Sequence, residues 1–553
     1  MSWGLRRDVS GLCVRWSDEV AGRYRAAGYW QDKTLVDVAR VAARENPEHV
    51  LLTEGDRRLV RADAWNSALR LAAFLVSRGL SAGDVISFQL PNWTETAIIA
   101  LAARMLGLII NPIPPIYRES ELGYILKDCR SKLIFVPYVF RKHEHRTTIA
   151  SLRDALPDLA DVVIVRGGMS GDLRWEDALA CRPLADRDLP KLDAAAVMMV
   201  MYTSGTTGKP KGVLHTHYSF DYRVRAMGEV WGIGPDDVVF MPSPVTHITG
   251  AFWAFDMPWV RGSASVLIDV WSAGDGIRCI ESNRCTVSGG ATPFLQQLLD
   301  TAGTKPGTLS SLRLFFCGGT TVSPELIRSA AQTFPSCLFF RAYGSTEMPT
   351  TTIGIRNRSE AELGAETDGE IVPPTEVRIV DPSGTALLPD GTEGEITVRG
   401  PEQLAGYLHA EDNEGCFDDE GFFRMGDLGR RVHGNYVVIT GRKKDIVIRS
   451  GENISPKEIE DILFNHPAII EVAIVAMPSP TTGEKCCAFV IAREGVMTDL
   501  SDICQFLDRA GLARQKFPEH LVLVEDLPRV PSGKVRKDVL RQWAREIAEA
   551  EKK

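Results

Sequence analysis

Tyr202-Thr203-Ser204-Gly205-Thr206-Thr207-Gly208-Lys209-Pro210-Lys211-Gly212 decides how the rest of this 553-residue chain is read. It follows Val197-Met198-Met199-Val200-Met201, an apolar run with the length and bulk of a buried strand. The eleven residues carry four Ser or Thr hydroxyls, three glycines, two lysines and no acid. Glycines let backbone N–H groups turn inward, hydroxyls add short donors, and lysines supply positive charge. That is the composition of a loop wrapping a polyphosphate, at the end of a strand in an α/β fold. The P-loop of NTPases does not fit. Only two residues separate Gly205 from Gly208, and Pro210 stands where a Mg²⁺-binding Ser or Thr is required. Pro210 also lacks an N–H and fixes its own φ, so no helix can open there in the P-loop manner. A plain surface loop is the alternative, and the density of donors behind a buried strand argues against it.

The length predicts two or more domains. Apolar content of 44% with 24% charged residues is that of an ordinary globular protein, and a net charge of −9 argues against a nucleic-acid or anionic-membrane partner. The eleven cysteines show no C-x-x-C spacing, so neither zinc nor a disulfide framework is expected and a reducing, cytoplasmic setting fits. Met1 to Asp8 has no apolar run behind its arginines, and the chain ends in Glu551-Lys552-Lys553, so no secretory, lipidation or peroxisomal signal is expected. The most apolar window, Ala97 to Ile110, is interrupted by Arg104 and is too short to span a bilayer.

Three textures follow one another. From a helical face over 62–78 as far as Phe316, helices alternate with short apolar strands, among them Val85–Leu90, Leu133–Val136, Val266–Ile268 and Leu312–Phe316. This order implies right-handed crossovers and parallel sheets. Near Gly369 the strands become short and alternating, separated by turn signals such as Asp381-Pro382-Ser383-Gly384, which predicts an antiparallel, barrel-like section over about 369–441. After Arg442 a third texture begins, with Ser455 placed to cap a helix opening at Pro456. The expected division is residues 1–442 and a small C-terminal domain, 443–553.

Four further polar stretches carry chemistry. In Arg341-Ala342-Tyr343-Gly344-Ser345-Thr346-Glu347, a carboxylate beside hydroxyls at the end of an apolar run can hold Mg²⁺ on phosphate oxygens. Gly426-Asp427-Leu428-Gly429 sets one acid between glycines, suited to vicinal ribose hydroxyls, although a plain turn reads equally well. Gly441-Arg442-Lys443-Lys444-Asp445 runs on to Ser450-Gly451-Glu452-Asn453, and its charges alone could be a solvated linker face. Pro531-Ser532-Gly533-Lys534 places a lysine on a glycine-flexible turn, where a lone lysine is ordinarily just a solvated charge.

Together, in this order, the five stretches resemble the signature motifs of the adenylate-forming superfamily. That superfamily includes acyl-CoA synthetases, aryl-CoA ligases, peptide-synthetase adenylation domains and beetle luciferases. The resemblance covers the chain from about Leu35 to Arg541. It implies a large N-terminal α/β domain with a β-barrel subdomain and a small, mobile C-terminal α+β domain. It also implies adenylation of a carboxylate by ATP and transfer of the acyl group to a thiol, with ATP, Mg²⁺ and coenzyme A as co-substrates and cofactor. By the same resemblance, Thr203, Ser204, Gly205, Thr206, Thr207, Gly208, Lys209 and Lys211 hold the β- and γ-phosphates, and Glu347 holds Mg²⁺. Gly318, Gly319, Thr320 and Tyr343 form the adenine region, Gly344 and Ser345 also bind the ATP/AMP, Thr346 meets the α-phosphate, and Asp427 and Arg442 grip the ribose. Lys534 bridges the attacking carboxylate and the α-phosphoryl group, Lys444 is the hinge, and Ser450 and Gly451 line the path of the CoA thiol.

The resemblance further places His247 near the substrate carboxylate, with helix capping or core packing as the alternative reading of that histidine. Phe252, Trp253 and the Gly289-Gly290-Ala291-Thr292-Pro293 segment are expected to form the acyl pocket. No acid stands in these segments to grip a substrate amine, which favours an apolar acid: medium-chain, alicyclic or aromatic. Val245 to Gly250 is similar to alicyclic-acid ligases. A carrier-protein thiol in place of CoA and a luciferase-like oxygenase are the alternatives, and a homo-oligomer is compatible with the sequence. No phosphopantetheine site follows Lys534, so a carrier would act in trans.

Overall fold

A computed structural model describes every residue except 1–5, 9, 204–208, 303–306, 321, 382, 383, 385, 494, 497, 531, 532 and 551–553. Two largely parallel sheets form the N-terminal part. The first orders its strands Leu173–Arg174, Asp161–Val165, Leu133–Pro137, Val85–Phe88, Ile109–Pro112, Val197–Thr203, Lys211–Thr216 and Gly406–Tyr407. Pairing is parallel as far as Val197–Thr203, which then runs antiparallel to Lys211–Thr216. The second orders Leu338–Ala342, Leu314–Gly318, Val287–Gly290, Val238–Met241, Ala264–Leu267, Val50–Glu54 and Arg57–Val60, all parallel except the last. Strands covered by helices on both faces are continuous apolar runs, which is why Val197 to Met201 and Leu314 to Cys317 are buried throughout.

The helices between the sheets explain the large core. Thr94–Met105 is buried at every position, sandwiched where the two sheets face each other, and Arg61–Ser77 packs beside it. Its single cation, Arg104, is tolerated because Asp256 meets it at 2.6 Å. Asp256 ends a π-helical segment, Phe252–Asp256, inside an otherwise α-helical stretch.

The antiparallel section expected from Gly369 is a four-stranded sheet, Glu376–Val380, Gly394–Arg399, Phe423–Val432 and Tyr436–Arg442. Beyond Arg442 a 3-10 turn, Lys443–Asp445, leads into the C-terminal part. There Ile469–Ser479 and Gly483–Ala492 form a long hairpin joined by Val447–Arg449, Glu452–Ile454 and His520–Leu523. The helix Pro456–Leu463 opens where expected, with Ser455 at its N-cap position. The Ser455 hydroxyl does not cap it, however. It donates instead to the Thr440 carbonyl at 2.5 Å, tying the helix start to the preceding strand. Among the described residues no helix is long and apolar enough to cross a membrane.

Candidate active site

The opening loop joins two antiparallel strands, with Thr203 and Lys211 as direct cross-strand partners. A strand follows the loop instead of a helix, which is the structural form of its departure from the P-loop. Ser204, Gly205, Thr206, Thr207 and Gly208 lie outside the described residues. Both stems are held by side chains. The Tyr202 hydroxyl donates to Asp128 Oδ2 at 2.6 Å, and Asp128 Oδ1 takes His409 Nε2 at 2.9 Å. Lys211 pairs with Asp412 at 3.1 Å and lies 5.1 Å over the Tyr407 ring, while Lys209 is exposed. The Tyr407 hydroxyl donates in turn to Glu347 Oε1 at 3.0 Å. Lys211, at the end of the opening loop, and Glu347 are therefore joined through one aromatic residue.

Four neighbouring strands of the second sheet deliver the other N-terminal residues from one carboxyl edge, the usual ligand edge of a parallel sheet. Leu338–Ala342 leads to Tyr343, Gly344, Ser345, Thr346 and Glu347, and Leu314–Gly318 leads to Gly319 and Thr320. Val287–Gly290 leads to Ala291 and Thr292, and Val238–Met241 leads towards His247. Gly318 and Ala342 are register partners, and a Cβ at Gly318 would lie 2.2 Å from the Ala342 carbonyl oxygen, so the close approach requires glycine. The Thr292 and Thr320 hydroxyls are 2.9 Å apart, joining the expected acyl and adenine segments. Gly290, at φ +154, leaves no room for a Cβ beside Phe294 and the Ser243 hydroxyl. Thr346 is buried, and its carbonyl accepts from His215 Nε2 at 2.8 Å.

Asp427 lies in the strand Phe423–Val432 and not in a turn, and it faces Arg442 of the neighbouring strand. Arg442 Nε meets Asp427 Oδ1 at 2.9 Å, and the Tyr343 hydroxyl donates to Asp427 Oδ2 at 2.6 Å. Burial, then the Asp427 charge, push the Tyr343 hydroxyl well above the ordinary tyrosine range.

Lys534 arrives from the C-terminal part on a tight turn, in which the Val530 N–H donates to the Lys534 carbonyl at 2.9 Å. A Cβ at Gly533 would lie 3.7 Å from Pro293 Cγ, so the turn rests against the acyl segment. Burial in the cleft, with the Arg442 and Lys444 charges, lowers the Lys534 ammonium to about 7 against the opposing pull of Asp427 and Asp445. Burial and Lys534 likewise lower His247 to about 4. His247 is also the N-cap of Ile248–Ala251, its Nδ1 accepting from the Thr249 N–H at 3.4 Å, so the capping reading of this histidine holds.

Some expected residues stand apart from this cluster. Ser450 and Gly451, at φ 51 and 86, form the exposed turn between Val447–Arg449 and Glu452–Ile454. The Ser450 N–H is taken by the Thr482 carbonyl at 2.8 Å. Lys444 lies on the turn beside Asp445, which pairs with Arg541 at 2.6 Å. Phe252 packs on Phe220 at 4.2 Å, and Trp253 stacks with Trp231 and Phe316, both buried deep in the core. Sequence reasoning missed Tyr407, Asp412, Asp128 and His409. Tyr407 sits on a two-residue strand with no periodic signal, and the acids act through pairings that only the fold creates.

Two family matches cover this architecture: "AMP-binding enzyme" over residues 39–408 and "AMP-binding enzyme C-terminal domain" over residues 458–534. The chain belongs to the AMP-binding enzymes. Within this family it is 34% identical to the medium-chain fatty-acid–CoA ligase of Escherichia coli, over 99% of this chain and 97% of that protein. It is 32% identical to the salicyl-AMP ligase / salicyl-S-ArCP synthetase of Mycobacterium tuberculosis, over 94% and 93%. Among solved structures, ATP-bound MatB from Rhodopseudomonas palustris superposes with a TM-score of 0.82 at 27% identity, covering 93% of this chain and all of that one (100%). These AMP-binding enzymes share the large N-terminal and small C-terminal parts seen here.

Proposed function

We propose that the protein is an ATP-dependent acid–CoA ligase for an apolar carboxylic acid. The carboxylate attacks the α-phosphorus of ATP, giving acyl-AMP and pyrophosphate. The CoA thiol then displaces AMP at the acyl carbon and loses its proton, leaving the thioester. The observation that carries this reading is the convergence of Lys534, from the C-terminal part, on the cleft edged by His247, Asp427 and Arg442. Two anions must meet there, so a compact ammonium lowers the barrier by charge stabilisation as they approach.

In this reading Thr203, Lys209 and Lys211 contact the β- and γ-phosphates, and Lys211 exchanges Asp412 for them. Thr346 contacts the α-phosphate, and Tyr343 and Gly318 to Thr320 border the adenine. Asp427 and Arg442, preset by their mutual bond, grip the ribose. The donor set suits a magnesium ion carried in with the nucleotide. Glu347 offers one carboxylate, and among the described residues no group of three or more His, Cys, Asp or Glu forms a closed metal cage. Mg²⁺ characteristically takes few protein ligands beside phosphate oxygens, and bound there it would offset phosphate charge. Thioester formation needs the C-terminal part to turn about Lys444, between domains 1–442 and 443–553, bringing Ser450 and Gly451 to the cleft.

The substrate range of medium-chain, alicyclic and aromatic acids rests on the absence of an acid in the acyl segments and on the Phe316 ring, which packs against Gly289 so closely that a Cβ there would lie 2.3 Å from Cδ1. The test is a panel of such acids with ATP, Mg²⁺ and CoA, read as pyrophosphate release and as acyl-CoA by mass. Acyl-AMP formation with no acylation of CoA, but acylation of a pantetheinyl carrier protein, would overturn the choice of thiol. Absence of acid-dependent pyrophosphate release across the panel would overturn the whole reading.

A further inference from the structure

Four arginines are buried among the described residues: Arg61, Arg104, Arg223 and Arg341. Three of them meet carboxylates, Arg104 with Asp256 at 2.6 Å, Arg223 with Glu402 at 3.5 Å and Arg341 with Asp368 at 3.6 Å. Arg61, only 5% exposed, has no carboxylate within ion-pair distance among the described residues. Its one side-chain hydrogen bond is a long one, Nη2 to the Pro258 carbonyl at 3.5 Å, and its Nε has no partner among the described residues. A buried guanidinium left this way is costly to the fold. Folded chains compensate such charges, with protein groups or with a ligand.

Arg61 lines a cleft of about 630 Å³ between the helix Leu35–Glu45 and the helix Met257–Arg261. That volume is within the range of small-molecule sites. No residue of the nucleotide cluster lines it. Its lining also includes the apolar side chains of Val38, Val41 and Trp259, with His49 among them. We infer that this cleft is a second binding site, taking an apolar monocarboxylate whose carboxylate pairs with Arg61 and whose body lies along Val41 and Trp259.

The charge count selects a monoanion. Arg61, Arg261 and Lys33 line the cleft against Asp37 and Glu45, a net of one positive charge, and burial and the Arg61 charge hold His49 below the ordinary histidine range. A dianionic phosphate would leave a charge unpaired beside two acids. The planar guanidinium fork matches a carboxylate in two parallel bonds. The site does not depend on the reaction proposed above.

The test is equilibrium dialysis of radiolabelled octanoate on the full chain, with the nucleotide cleft blocked by a non-reactive acyl-sulfamoyl adenosine. The expected result is one saturable site whose affinity falls at least roughly tenfold, about 1.4 kcal/mol, in Arg61→Met and in Val41→Trp. Val41 is 52% exposed, so Val41→Trp fills the cleft mouth without removing a buried group and stands in if Arg61→Met folds poorly. Octanol should not compete. The inference is overturned if both variants bind octanoate as the parent does, if octanol or inorganic phosphate competes equally well, or if only variant-insensitive binding is found. The variant comparison reads this cleft alone, whether or not the blocker occupies the other site.

Discussion

Asp427 and Arg442 are cross-strand register partners whose side chains meet at 2.9 Å, with Asp427 almost wholly buried and Arg442 partly open to the cleft. Fixing the acid in this way leaves its geometry ready before a nucleotide arrives. Asp427→Asn should therefore raise the KM for ATP by roughly tenfold or more, about 1.4 kcal/mol, while moving the KM for the acid far less. Tyr343→Phe removes only the hydroxyl bond to Asp427 and should cost about 1 kcal/mol of stability by urea unfolding. Initial rates of pyrophosphate release check the first, and a matching rise in both KM values would contradict the ribose role.

Lys534 comes to the cluster from the C-terminal part, and the cleft lowers its ammonium to about 7. The charged form is the one that serves the reaction, and it is lost as pH rises through that value. Burial acts first, and Arg442 and Lys444 add to it. Adenylation kcat/KM should accordingly be level at acid pH and fall above about 7, because this constant reports the free enzyme's ionisations. Lys534→Arg, whose guanidinium does not titrate, should be slower but flat over the same interval. Lys534→Ala should abolish acid-dependent pyrophosphate exchange into ATP yet spare thioester formation from supplied acyl-AMP. Normal exchange in that variant would remove Lys534 from the first step.

Much of this site was legible in the sequence because its chemistry sits in short, contiguous motifs. The strands Val85–Phe88 and Leu133–Pro137 also fall where the apolar runs Val85–Leu90 and Leu133–Val136 predict them, since a strand buried on both faces is a continuous apolar run. What could not be read depends on register and on distant pairing. The Gly426 to Gly429 stretch reads as a turn, but a register shift between Leu428 and Gly429 keeps it within a strand and turns Asp427 towards Arg442. Ser455 has the right type and place for a cap, yet the Thr440 carbonyl competes successfully for its hydroxyl. The π-helical turn at Phe252–Asp256 breaks the 3.6-residue period, so which aromatic faces a pocket and which faces the core cannot be counted along the chain.

Lys444 stands two residues beyond Arg442, the last residue of its strand, at the start of the C-terminal part. If the second half-reaction requires rotation there, fixing φ should slow thioester formation and leave the first half-reaction nearly intact. Lys444→Pro should thus reduce acyl transfer to CoA at least roughly tenfold while changing pyrophosphate exchange by less than about threefold, a difference of about 0.7 kcal/mol or more. Single-turnover measurements of each half-reaction separate the two. Equal loss in both would mean that the substitution disturbs the cleft and does not act on a hinge.

His215 is buried on the strand Lys211–Thr216, its Nε2 donating to the Thr346 carbonyl at 2.8 Å while its Nδ1 has no partner among the described residues. Protonation would add an N–H at Nδ1 with nothing to accept it, and burial accordingly lowers the ring to about 4. The unfolded chain takes up this proton near 6.5 and the folded chain only near 4, so between those values the unfolded state binds more protons and stability falls as pH falls. At about pH 5 the loss is about 2 kcal/mol from this one ring. His145 and His217, also lowered by burial, act with the same sign. His215→Gln keeps a donor for the Thr346 carbonyl but cannot titrate. Its urea midpoint should drop less between pH 7 and pH 5 than the parent's, with an unchanged slope, and an identical drop would place the acid sensitivity elsewhere.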